Sequence, residues 1–268
     1  MELQAFGLIN WSILGIYLVG NLVLGAVLSK KVTSADDFFV GQRNIPWWAI
    51  GVSVVASYVS ALSFLGGPAW SYTEGLSVIA IHLNYPIVIF IVIAFFLPFF
   101  FNSGVASIYE YLERRFGATS RSVIAIIFLV SQCLTSAAIL YATALVLEFI
   151  TGMPVVYAIV IITFIALIYT IMGGLAAVIW TDVVQAFILL AGALIITVSL
   201  INNLSLPLGE TLALLKSEGK TDPLNFSFDS TQVSTVWTGV IAMALFHITV
   251  YGANQMMVQR TLASKNIG

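Results

Sequence analysis

Seven apolar runs, each near the length of a bilayer crossing, limit what this chain can become. A helix needs roughly 20 apolar residues to span the hydrocarbon core. The runs lie at about 9–28, 46–70, 77–101, 123–150, 155–173, 183–201 and 236–256. Only 8% of the 268 residues are charged, against about a quarter in a soluble domain. The expectation is an all-α polytopic membrane protein, with residues 1–268 as a single transmembrane domain. A net charge of −2 points to no nucleic-acid partner. The partner it does imply is the lipid bilayer.

One run stands apart. Ile45 to Gly75 is long and apolar enough to cross, but Ser53, Ser57, Ser60 and Ser63 sit within it, and Gly66, Gly67 and Pro68 interrupt its far half. Backbone in hydrocarbon must satisfy its own hydrogen bonds, so an interrupted helix survives only where it lines a cavity or is covered by protein. Secondary transporters build ion and solute sites from such breaks. A tilted helix with small residues at a helix–helix contact explains the stretch equally well.

The basic residues orient the chain. With the N-terminus outside, Lys30, Lys31, Arg43, Arg114, Arg115, Arg121, Arg260 and Lys265 fall on the cytoplasmic side, and only Lys216 and Lys220 outside. That asymmetry obeys the positive-inside rule. It makes 203–235 an extracellular or periplasmic loop. Glu2, with no Lys or Arg ahead of the first run, is the wrong start for a cleaved signal peptide, so the first run reads as a retained signal-anchor helix. Ser107 to Phe116 places Tyr109, Leu112 and Phe116 on one helical face and reads as an amphipathic helix at the inner interface.

Few residues carry chemistry. Intramembrane acids usually mark ion pathways, and Asp182 opens the sixth run after Gly173-Gly174. An N-cap accounts for it as well. His82 and His247 lie in the third and seventh runs, where a lone histidine is more often a helix–helix hydrogen-bonding group than a proton relay. Gln132 and Thr135 are polar in mid-span. Cys133 stands alone, as a small buried hydrophobe would. No Ser/His/Asp arrangement, Walker loop or dinucleotide turn occurs, and no enzyme chemistry is expected. The seventh run is interrupted at Tyr251 to Gln255, five runs after the interrupted second and in the opposite direction. Interrupted segments at matching positions of two halves point to a transporter site.

Several motifs then occur in order: Asp36-Asp37-Phe38-Phe39, Gly41 through Arg43, Pro46-Trp47-Trp48, Gly51-Val52-Ser53 and Ala56-Ser57. Ser107 to Phe116, Gly173 to Val178 with Trp180-Thr181-Asp182, and Asn254-Gln255 leading to Gln259-Arg260 follow. This pattern resembles the sodium:solute symporter family. Leu65 to Pro68 and Ser107 to Phe116 look most like its iodide, monocarboxylate and multivitamin branch. The resemblance implies a five-plus-five inverted-repeat, leucine-transporter-like fold: one extra N-terminal helix, the first repeat, and the start of the second. It implies Na+ as coupling ion, with ligands from the carbonyls of Ala56 and Val59. Asp182 would contribute to a second sodium site. A small organic or anionic solute would sit near Ser60, Ser63, His82, Thr135 and Asn254. Sialic acid transporters of the family carry an arginine for the carboxylate where this sequence has Thr135, which argues against that substrate.

Family members have about twice as many helices as this sequence. The missing second repeat would come from the same longer chain or from a partner, and 268 residues alone are not expected to complete alternating access. The expected setting is multi-pass in the plasma membrane, or the inner membrane of a bacterium. A symporter-like sensor module, as in kinase-fused receptors, and a non-transporting remnant are the alternatives.

Overall fold

The structure, a computed structural model, describes residues 6–30, 32, 34–41, 44–105, 107–229 and 231–264. Lys31, Arg43 and Lys265, used above for orientation, lie outside the described residues. In chain order the helices are α1 (Leu8–Ser29), α2 (Ala35–Val40), α3 (Trp47–Tyr58), α4 (Ala61–Glu74), α5 (Tyr85–Ile91) and α6 (Leu97–Ser103). They continue as α7 (Ile108–Phe116), α8 (Ala118–Thr151), α9 (Val155–Asn202), α10 (Leu208–Ser217), α11 (Met243–Ile248) and α12 (Gln255–Leu262). A 3-10 stretch, Gly75–His82, follows α4, and π-helical turns lie at Val92–Phe96, Thr238–Ala242 and Thr249–Ala253.

By length and hydropathy, four helical stretches among the described residues are able to cross a membrane. These are Leu8–Ser29, Ser63–Ser103, Ala118–Thr151 and Val155–Asn202; Thr238–Ala253 with Gln255–Leu262 makes a fifth if taken as one bent span. The runs at 155–173 and 183–201 fall on α9, on either side of Gly174. Its 48 residues are two helical stretches that meet at a kink at Gly174, one on either side carrying each run.

Two compact units form: Met1–Leu62 with Gly104–Gln185 and Gln259–Gly268, and Ser63–Ser103 with Ala186–Val258. The first unit is centred on Ile45, Ala49, Ile50, Ile179, Val183 and Ala263. Lipid is as apolar as these side chains, so such contacts are held by close packing rather than by escape from water. Small residues mark where backbones approach. A Cβ on Gly25 would lie 2.9 Å from the Tyr169 Cβ, and one on Gly173 would lie 3.1 Å from the Gly25 carbonyl oxygen.

Gly174 bends α9, with φ 57 and ψ −152 inside an otherwise helical run. That region is open essentially to glycine alone. The space is also closed: a Cβ there would sit 2.6 Å from the Phe38 carbonyl oxygen. Helix α2 is set in place by a reciprocal cap, Ser34 accepting from the Asp37 N–H and Asp37 from the Ser34 N–H. Helix α7 forms as an amphipathic segment, with Ser107 accepting from the Glu110 N–H as its N-cap and Tyr109 packed 5.7 Å from the ring of Phe128 on α8.

In the second unit Val88, Val92 and Ala244 are buried together, with Phe96, Ile248 and Tyr251 against them. Gly239 is pressed to the Ala80 carbonyl, where a Cβ would come within 1.9 Å of the oxygen. Residues 203–235 carry α10 and are tied down at several points. The Leu76 N–H donates to the Lys220 carbonyl at 2.8 Å, and Trp237 Nε1 donates to the Phe226 carbonyl at 3.1 Å.

Candidate functional site

The helix interruptions come first, because they decide which backbone groups are released. The first lies between α3 and α4. Val59 leaves the helix with φ −83 and ψ 117, and its N–H is shared between the carbonyls of Val55 and Ala56. The Ala56 carbonyl therefore shares the Val59 N–H with Val55, and the backbone leaves helical geometry at Val59. The break is not at Gly66, Gly67 and Pro68, where α4 continues from Ala61 to Glu74. Those residues are helix breakers by propensity, about 1 kcal/mol for each glycine and about 3 kcal/mol for the proline, yet α4 runs through them.

The second interruption is at Asn254, with φ −80 and ψ 126 between a π-helical turn and α12. It nearly reproduces the backbone of Val59. The Asn254 side-chain oxygen accepts from the Met256 N–H at 2.9 Å and so caps the new helix.

In the first unit, α3, α9 and α12 bring Ser53, Ser57, Asp182 and Arg260 together. Asp182 Oδ2 accepts from Ser53 Oγ at 2.6 Å and from Arg260 at 3.2 Å. Ser57 Oγ lies 3.2 Å from the same oxygen and 2.7 Å from the Ser53 carbonyl, so one hydroxyl proton has two acceptors to choose from. Arg260 Nε donates to Ser53 Oγ at 3.1 Å. Ser53 is thus used fully, giving its proton to the acid and accepting from the base. The side chains of Asp182 and Arg260 are 14% and 7% exposed. A buried ion pair needs extra hydrogen bonds to offset desolvation, and the serines provide them.

Asp182 lies within α9 rather than at its start, so it is no N-cap. Arg260, Ser53 and Ser57 were not singled out as site residues from sequence. The signal for the serines was their four-residue spacing, which puts both hydroxyls on one helix face.

The residues expected around the solute distribute as follows. Ser60 and Thr135 belong to the first unit, and Ser63, His82 and Asn254 to the second. Thr135 is exposed, its hydroxyl donating to the Ser131 carbonyl at 2.9 Å. His82 stacks on Tyr85, with ring centroids 5.4 Å apart and planes 6° from parallel. Tyr85 also stacks on His247, with ring centroids 4.9 Å apart. His247 is fully buried and its Nδ1 meets Asn84 Oδ1 at 2.6 Å. Because Asn84 Nδ2 donates to the Ile81 carbonyl, its oxygen faces His247, and Nδ1 is the protonated ring nitrogen.

Comparison with known proteins agrees with this architecture. The profile of the Sodium:solute symporter family matches residues 38–268. The sodium/sialic acid symporter SiaT of Proteus mirabilis is 34% identical over all of this chain and 54% of its own length. The human sodium/iodide cotransporter is 30% identical over 98% of this chain and 41% of its own. A solved structure of a Na+-coupled sialic acid symporter, substrate-bound and outward-open, superposes with a TM-score of 0.88 at 34% identity, over 98% of this chain and 55% of that one. The chain spans about half the length of the relatives it matches. The extra N-terminal helix, first repeat and start of the second repeat are those of the leucine-transporter-like fold. This all-helical, multi-pass membrane chain belongs to the sodium:solute symporter family.

Proposed function

We propose that the chain is the N-terminal portion of a sodium-coupled symporter that moves a small organic or anionic solute by alternating access. The observation that carries this is the break at Val59, where the chain leaves helical geometry at the carbonyls of Ala56 and Val59, next to Ser60. Carbonyl and hydroxyl oxygens suit a hard monovalent cation and need no deprotonation. Sodium is cargo here. It binds at Ala56 and Val59, and the second repeat, in the same longer chain or a partner, completes its shell. Asp182 serves a second sodium, which must compete with Arg260 for the carboxylate.

Solute sits by Ser60, Ser63, His82, Thr135 and Asn254. The neutral hydroxyl of Thr135 favours a solute that needs no cation at that position. Sodium shifts the conformational equilibrium only by binding one state more tightly than the other. The N-terminus is outside and the 203–235 loop with it, in the plasma membrane or a bacterial inner membrane.

The test is uptake by the full-length protein in proteoliposomes, using labelled sialic acid, glucose, a monocarboxylate and iodide. Accumulation driven by an inward Na+ gradient, absent with K+, supports the proposal. Equal accumulation with either cation overturns it.

A further inference from the structure

The second unit holds a cluster of aromatic rings, His82, Tyr85, His247 and Tyr251. Of these His82 is the exposed one. Tyr85 and Tyr251 are half-buried, and His247 is fully buried, as is Asn84 beside it. We propose that Tyr85 and His247 are positioning residues for transport, which hold the His82 imidazole where it hydrogen-bonds the solute. This rests on the symporter reading above, which places His82 at the solute.

Three observations carry this. His82 and Tyr85 stand three residues apart, where the 3-10 stretch Gly75–His82 gives way to α5. Side chains at that spacing eclipse in 3-10 geometry, and the two rings stack 5.4 Å apart and 6° from parallel. An exposed imidazole is thereby given one orientation without being buried.

Tyr85 is itself held. It stacks on His247 at 4.9 Å and meets Tyr251 edge-on at 6.2 Å. His247 Nδ1 is anchored on Asn84 Oδ1 at 2.6 Å, and Asn84 Nδ2 on the Ile81 carbonyl at 2.6 Å. Apolar side chains would fill this space as well; a satisfied buried polar pair adds a unique ring orientation. The cluster also runs between the segments that carry solute residues of this unit. Ile81 directly precedes His82, and Tyr251 sits in the π-helical turn that ends at the Asn254 break.

The experiment is Na+-driven uptake by the full-length protein in proteoliposomes, with labelled sialic acid, glucose, a monocarboxylate and iodide as probes. Binding of radioactive Na+ without solute is the second readout. Tyr85→Leu removes the ring, and His247→Asn removes a ring while keeping a donor for Asn84. Each should raise KM for the accumulated probe about three- to tenfold, the worth of an aromatic stack, and leave Na+ affinity unchanged. Tyr85→Phe keeps the ring and should retain the parent KM. In a His82→Ala background neither variant should raise KM further, because both act through that imidazole. KM unchanged in Tyr85→Leu and His247→Asn, or raised equally with and without His82, overturns this inference and leaves the symporter reading standing. Loss of Na+ binding in both single variants also overturns it, since their role would then be structural. A parent protein whose accumulation of the probes gains nothing from the Na+ gradient overturns the symporter reading, and this inference with it.

Discussion

Arg260 and Asp182 stand 78 positions apart in the chain and meet as a buried ion pair, 3.2 Å from nitrogen to oxygen. Ser53 joins both ends of it, donating to the acid and accepting from the base. Three helices are thereby joined through one carboxylate oxygen.

Breaking this pair from one side should cost more than removing it. Asp182→Asn leaves an uncompensated guanidinium, and Arg260→Gln an uncompensated carboxylate, each worth about 3–5 kcal/mol when buried. The double variant should be less destabilised than the sum of the singles. Thermal unfolding of the full-length protein in detergent measures all three. The same Asp182→Asn protein reports on the ion role: the Hill slope for sodium in uptake should fall. An unchanged slope leaves Asp182 purely structural.

Gly174→Ala should be among the most damaging small substitutions in the first unit. The residue combines φ 57 and ψ −152 with a carbonyl oxygen where its Cβ would stand. Backbone strain alone costs about 1–3 kcal/mol, before the clash with Phe38. Gly192→Ala on the same helix meets nothing within 4 Å and should be neutral or slightly stabilising. A melting temperature for each settles the comparison.

Ser60→Ala and Ser63→Ala together should weaken solute binding several-fold, from about 1 kcal/mol per lost hydrogen bond. Solute affinity in the full-length protein is the readout. A change below about twofold moves the solute site elsewhere.

His247 and Asn84 should behave as one unit. Both are fully buried, and loss of either leaves its partner unsatisfied at about 1–3 kcal/mol. A double-mutant cycle with alanine should show strong coupling. The two single losses simply adding would mean that the 2.6 Å contact contributes little.

Asp229 provides a pH-dependent element in the polar loop. Hydrogen bonds from the Thr231 N–H and hydroxyl hold its carboxyl below the usual aspartate range. A depressed folded pKa means the turn is stabilised above the unfolded pKa and loses that support as pH falls through the folded value. Protection of the Thr231 amide, measured against its intrinsic exchange rate at each pH, should therefore fall on acidification, and in Asp229→Ala it should be low at every pH.

Much of this protein could be read along one dimension. The bilayer sets a length, so hydropathy over about 20 residues reveals membrane helices without knowledge of what they touch. The amphipathic α7, the interruption before Gln255 and the family motifs were legible for the same reason: each is a local pattern. Where the first break falls was not. Gly66, Gly67 and Pro68 carry the strongest local signal, but the helix runs through them and opens at Val59. Propensities of about 1 kcal/mol for a glycine and about 3 kcal/mol for a proline yield to packing, so they rank candidate breaks without choosing among them. Nor could sequence pair Asp182 with Arg260, or His247 with Asn84 across 163 positions. Local pattern shows that a buried polar group must find a partner. Which partner it finds depends on which helices the fold brings within about 3 Å of each other, and only the tertiary structure decides that.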